Sequence, residues 1–186
     1  MGRFVVGLGI ALIWATTTWA HPAQIIIIRH AEKPTSGSDL SPRGEERAAA
    51  LVPYFLKADE LSKFGTPVAI YAQKPSNATS SRRAIETVQP LADALHLKVN
   101  ESYHRDEFQK MMDEILRSPE YEGRTVLICW EHKVIPAIAA ELGAEGAPSK
   151  WPDDEFDRTW VLTFGDSKAP QFKNLPQRLM YGDSDK

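Results

Sequence analysis

The sequence predicts an α/β fold in three layers, a mostly parallel sheet with helices on both faces. Two runs carry this reading. Gln24 to Arg29 (QIIIIR) and Thr125 to Trp130 (TVLICW) are apolar and rich in β-branched residues, yet too short to be helices. Each reads as a strand buried on both faces, as strands in parallel sheets are. The third observation is what lies between and after them: segments with apolar residues at helical spacing, in alternation with strands, which is the pattern of crossover connections.

The elements follow in order. Ser41-Pro42 offers an N-cap and then proline at the first helical position, with Glu45 and Glu46 in the first turn, and predicts a helix to about Lys57. Val68 to Ala72 is a short second strand. Arg82 to Leu95 places Ile85, Val88, Leu91, Ala92 and Leu95 on one stripe, hence a helix, with Pro90 as the point of disturbance. Met111, Met112, Ile115 and Leu116 mark a helix that ends before Pro119. Ile135 to Leu142 is the helix after TVLICW, closed by Gly143. Thr159 to Phe164 is a late strand. There is no internal repeat, low-complexity segment or domain boundary, so residues 21–186 read as one domain.

Composition narrows the function classes. The chain has 186 residues, 42% hydrophobic and 25% charged, ordinary for a globular protein. A net charge of −3 provides no basic field for a phosphodiester backbone, so no nucleic-acid partner is expected. The one cysteine, Cys129, excludes an intramolecular disulfide and any cysteine-built metal cluster. Within its apolar strand it reads as an inert thiol. The five histidines and the carboxylates must carry the chemistry.

Residues 1–20 read as a secretory signal: a basic start at Arg3, an apolar run from Phe4 to Trp14, and the small residues Thr18 and Ala20 at the exit. The other reading is an uncleaved membrane anchor. Cleavage gives an exported, periplasmic or secreted protein beginning at His21, with no stable membrane association. His21 itself reads as incidental.

In open α/β sheets, ligands bind beyond the carboxyl ends of the strands. QIIIIR ends at Arg29-His30, and TVLICW runs into Glu131-His132. The loop after the second strand supplies Arg82 and Arg83 beside Ser80 and Ser81. Two histidines with two or three arginines at one sheet edge suit a dianion, most simply a phosphate, because arginine offers paired planar donors and histidine a donor or a nucleophilic nitrogen. There is no Gly-rich cradle with a Walker lysine, which argues against a P-loop enzyme. Taken singly, each residue has a plainer reading. Arg29 is then a strand-end ion pair, His30 a cap, Arg83 an i,i+3 partner of Glu86, and His132 a satisfied imidazole.

The same residues resemble a known family. Ile28-Arg29-His30-Ala31-Glu32-Lys33 is similar to the Arg-His-Gly signature of the histidine phosphatase superfamily, which includes cofactor-dependent phosphoglycerate mutases and phosphohistidine phosphatases. Leu40-Ser41-Pro42-Arg43-Gly44-Glu45-Glu46-Arg47-Ala48 resembles its Leu-Thr-x-x-Gly-x-x-Gln-Ala helix start. Arg83-Ala84-Ile85-Glu86-Thr87 resembles its Arg-Ala-x-x-Thr motif, and Val126 to His132 the strand that delivers the second histidine. The four motifs come in order and span most of residues 24–142.

The resemblance implies a phosphoglycerate mutase-like fold and a phosphatase acting on a small phosphorylated substrate. His30 would attack phosphorus in line, while Arg29, Arg83 and His132 hold the phosphoryl oxygens. It implies no metal and no organic cofactor. It also implies a proton donor roughly two dozen residues after Arg83. Glu107 falls nearest, Glu101 and Asp106 are rivals, and Glu131 is a further candidate on position alone; Glu107 equally suits the first turn of a helix. Ala31 departs from the family's glycine. Lys133, directly after the second histidine, departs from the acid phosphatase and phytase branch. No segment is evident to close the site against water, which disfavours a mutase.

Lys33 and Lys74 sit near strand ends as solvated lysines. Trp151, Phe156, Trp160 and the Leu175 to Met180 tail read as packing, or as a wall of the pocket. The expected function is an exported phosphatase using a phosphohistidine on His30. The alternative is a catalytically weak phosphate- or partner-binding domain that keeps the pocket.

Overall fold

A computed structural model describes residues 21–77, 79–165 and 169–185. The signal segment, residues 1–20, lies outside the described residues. One six-stranded sheet organises the rest, with strand order β3-β2-β4-β1-β5-β6. In chain order the elements are β1 (Gln24–Arg29), α1 (Pro42–Lys57), α2 (Asp59–Ser62), β2 (Ala69–Ala72), α3 (Arg83–Ala94), β3 (Val99–Asn100), α4 (Phe108–Arg117), β4 (Thr125–Trp130), α5 (Ile135–Glu141), β5 (Arg158–Thr163) and β6 (Gln171–Pro176). Short 3-10 turns at Arg105–Glu107 and Pro119–Tyr121 flank α4.

The sheet is mostly parallel, as the sequence predicts. β3, β2, β4 and β1 run together, whereas β5 is antiparallel to both β1 and β6. The period-2 alternation of a strand explains the three layers. Ile25 and Ile27 face a core built with Met111, Met112 and Ile115 of α4 and Ile135 and Ile138 of α5. Ile26 and Ile28 face the opposite core, with Leu51 and Phe55 of α1 and Ile85, Val88 and Leu91 of α3. All six residues of β1 and of β4 are buried, which is why neither strand alternates in hydropathy.

Four local outcomes refine the sequence reading. β2 starts at Ala69 and β5 at Arg158, each one residue off. α3 continues through Pro90 to Ala94, because burial of its apolar stripe outweighs one lost backbone bond. β6 was not foreseen: QFKNLP is a half-exposed edge strand with no apolar run to announce it. β3 was not foreseen either, being two residues long.

Candidate active site

Register brings the two histidines together. β1 and β4 are neighbours, with Arg29 directly opposite Trp130. Both chains therefore leave the sheet at one level, and His30 and Glu131-His132 emerge side by side. β2 flanks β4 on its far side and leads by a loop into α3, whose first residue is Arg83.

His30 has one ring nitrogen tied and one free for chemistry. Its Nδ1 lies 2.7 Å from its neighbour Ala31 O. A carbonyl only accepts, so Nδ1 carries the hydrogen and Nε2 keeps its lone pair. The ring is 9% exposed. Burial, reinforced by the positive charges of Arg29, Arg83 and the nearby His132, lowers its pKa to about 4, against the pull of the Ala31 bond. At neutral pH the imidazole is neutral and nucleophilic at Nε2.

Arg29 is 2% exposed, and the segment after α5 wraps it. Its Nη1 donates to the carbonyls of Pro152, Asp153 and Glu155 at 3.1, 3.1 and 2.8 Å. The Phe156 ring lies 3.8 Å from the guanidinium carbon, and the same ring stands 6.1 Å from the imidazole of His30. Phe156 is thus a wall of the site, whereas Trp151 and Trp160 stack at 4.9 Å inside the core. Burial lowers Arg29 to a pKa of about 10, which leaves it a cation at neutral pH. Its buried Nε has no hydrogen-bond partner among the described residues.

The tautomer of His132 follows from Arg29. Arg29 Nη2 approaches His132 Nδ1 at 3.3 Å and can only donate, so Nδ1 accepts and Nε2 bears the hydrogen. That Nε2–H points to Asp153 Oδ1 at 2.7 Å. Burial pushes the His132 pKa below its ordinary value, the Asp153 bond opposing it.

Arg83 is half-buried and turned toward the loop after His30. Its guanidinium donates to the carbonyls of Asp39, at 2.9 Å, and Gly37. Glu86, its expected i,i+3 partner, instead accepts from Leu40 N–H at 2.9 Å. Arg82 is exposed, and Ser81 Oγ accepts from Arg83 N–H.

The loop carrying His30 is fixed at successive residues. Ala31 N–H donates to Thr87 Oγ1 on α3 at 2.8 Å, so a one-residue step from His30 reaches a helix. Glu32 O accepts from Ser41 N–H, and Ser41 caps α1 through Gly44 N–H. Gly44 packs so close that a Cβ there would meet Glu32 O at 2.3 Å. Below it, the buried Arg47 donates to Glu32 at 2.8 Å and to Asp183 at 2.7 Å and strings the C-terminal tail to the same loop. Sequence reading assigned Arg47 only to a motif position; a buried arginine between two distant carboxylates has no local signature.

The four carboxylates proposed as proton donors are dispersed. Glu107 closes the turn before α4: it accepts from His104 N–H at 3.1 Å and pairs with Lys110 at 2.8 Å, and the Lys110 bond above all holds its carboxyl below the ordinary range. These contacts are those of a capping carboxylate. Asp106 is an exposed partner of Arg105, and Glu101 is exposed. Glu131 is the one beside His132, with Oε1 3.5 Å from His132 Nδ1 and Oε2 held by Arg105 Nε at 3.0 Å. Lys33 and Lys74 are exposed, and Cys129 is fully buried with its thiol pKa pushed up by desolvation. Among the described residues, no three His, Cys, Asp or Glu side chains gather as a metal site.

No family model matches the chain, and no curated protein matches its sequence. Solved structures do match. The protein histidine phosphatase SixA complexed with tungstate is 17% identical, with a TM-score of 0.51 over 83% of this chain and 97% of that one. Mycobacterial glucosyl-3-phosphoglycerate phosphatase is 14% identical, with 0.55 over 83% and 97%. Phosphoglycerate mutase from Bacillus anthracis is 12% identical, with 0.54 over 85% and 93%. The fold is the histidine phosphatase fold. In a histidine phosphatase fold the strand ends that carry His30 and His132 here are neighbours through sheet order alone, as the β1–β4 register shows.

Proposed function

We propose that the chain is an exported phosphatase that hydrolyses phosphomonoesters or phosphohistidine through a phosphohistidine on His30, without a metal. The observation that carries this reading is the state of His30: Nδ1–H fixed on Ala31 O, Nε2 free, and the ring kept neutral by burial among cations. The neighbouring folds bearing phosphatase names support the reaction class.

The lone pair of His30 Nε2 attacks phosphorus, the bond from phosphorus to the leaving oxygen breaks, and that oxygen takes a proton. Water then attacks the phosphohistidine, and the N–P bond breaks to give inorganic phosphate and neutral His30. Arg29 and, once Asp153 yields it, the Nε2–H of His132 would donate to the phosphoryl oxygens. Arg83, which now donates to the carbonyls of Asp39 and Gly37, would add a second fork on turning to the substrate. In this reading Glu131, whose Oε1 lies 3.5 Å from His132 Nδ1, would give the proton to the leaving group and take one from the attacking water.

The test is hydrolysis of an aryl phosphate by residues 21–186 in EDTA, beside His30→Ala. Turnover should survive EDTA, yield to vanadate and vanish in the variant, while the variant still binds phosphate. A wild type that binds phosphate without turnover would instead make the chain a phosphate-binding domain.

A further inference from the structure

The segment from Trp151 to Phe156 touches the site in a way the reaction above does not use. Its backbone is clamped, because three carbonyls rest on the buried Arg29. Its Asp153 side chain is the opposite, 72% exposed, with Oδ1 on His132 Nε2 at 2.7 Å. His132 Nδ1 faces Arg29 and can only accept, so Nε2–H is the one donor the neutral ring has for a phosphoryl oxygen. A carboxylate of this chain already holds it.

Resting on the phosphatase reading, we propose that Asp153 is a specificity-determining residue. Its carboxylate occupies His132 Nε2–H until a phosphoryl group displaces it, and then stands at the mouth of the pocket against leaving groups that are themselves anionic. Displacement is easy, since a pair with one largely exposed partner is weakly held. The displaced carboxylate stays close, because Arg29 fixes the Asp153 backbone and only the side chain rotates. That swing is shorter than the screening length of about 8 Å at physiological salt, so the charge is still felt where the leaving group departs. Tested substrates then rank by leaving-group charge: neutral first, carboxylate-bearing last.

The experiment compares wild type with Asp153→Asn, Asp153→Ala and the control Asp154→Asn, which removes the same charge one residue on. The readouts are vanadate affinity and the ratio of kcat/KM for 4-carboxyphenyl phosphate to that for phenyl phosphate. Both Asp153 variants should bind vanadate about threefold to tenfold more tightly and raise the ratio by a similar factor, the size of one exposed pair plus one screened repulsion. Asp154→Asn should change either by less than about twofold, and high salt should erase the gain in the ratio. A merely structural role for Asp153 would not produce tighter binding. Vanadate affinity that stays equal or falls, in variants that still turn over phenyl phosphate, would overturn the proposal and leave the site reading standing. Failure of every protein to bind vanadate would overturn both.

Discussion

Holding a histidine neutral inside the fold has a consequence for stability that isolates His30 without any substrate. An unfolded histidine has an ordinary pKa of 6.5, and burial beside Arg29, Arg83 and His132 takes the folded value of His30 to about 4. Between those two values the unfolded chain binds more protons than the folded one, so stability falls as pH falls through the window from 6.5 to 4 and stops falling from this source below it. At 1.36 kcal/mol per pK unit, the loss attributable to His30 is about 2 kcal/mol at pH 5 and about 3 kcal/mol at pH 4, relative to pH 7.5. The assay is urea denaturation at pH 7.5, 6, 5 and 4 on wild type and on His30→Gln, which fills similar space and does not titrate. His132, whose pKa is also depressed, titrates in both proteins, so its contribution cancels in the difference apart from its coupling to His30. Wild type should lose about 3 kcal/mol more than the variant across the range. The same free-enzyme pKa should set the acid limb of kcat/KM, with activity retained at pH 5 and falling near pH 4. Parallel loss in the two proteins, or an acid limb near 6.5, would refute the argument that burial keeps this nitrogen free for attack.

Three further outcomes follow from the geometry. Gly44→Ala drives a Cβ to 2.3 Å from Glu32 O, with main chain on both sides and no side chain to yield; it should lower stability by about 1–3 kcal/mol in thermal denaturation and reduce kcat, because the loop it displaces carries His30. Arg47→Met removes the buried cation between Glu32 and Asp183 and leaves the exposed Arg43 as the one arginine among the described residues still paired with both carboxylates, a loss of about 3 kcal/mol that urea titration should register and that acid pH should partly relieve. Glu131→Gln should slow hydrolysis of an alkyl phosphate by about 10²-fold and that of 4-nitrophenyl phosphate far less, because only the poor leaving group needs a proton; equal slowing of both would remove Glu131 from the donor role.

What the sequence made legible, and what it did not, divides along a physical line. The strands QIIIIR and TVLICW were legible because burial on both faces forces an unbroken apolar run, and α1 because its Ser41-Pro42 start is a local chemical requirement. His30 and His132 could be placed because parallel neighbours end at one level. β6 was illegible because an edge strand half open to water needs no apolar pattern. The choice among the candidate proton donors has a related cause. Spacing along the chain selects Glu107, but distance in space favours Glu131, which the β4 register delivers to the histidine. The Trp151–Phe156 segment was invisible as a ligand of Arg29 because it binds through main-chain carbonyls, which every residue possesses.

That last contact explains why the four motifs are as local as they are. Of residues 29–32, all but His30 reach a different part of the molecule. Arg29 binds the segment after α5, His30 its own neighbour's carbonyl, Ala31 the Thr87 hydroxyl on α3, and Glu32 the cap of α1 and, through Arg47, the C-terminal tail. On the proposed reading, a nucleophile that must present Nε2 without moving needs its backbone held from several directions, since misplacement of the attacking atom by an ångström forfeits much of the rate. The partners that hold it through side chains, Thr87 and Ser41, lie in the motifs around Arg83 and Ser41, while Gly44 is there because the approach of α1 leaves no room for a Cβ. The motifs are therefore the ties of one short loop, and the residues between them face the two cores, where any apolar side chain of suitable volume serves.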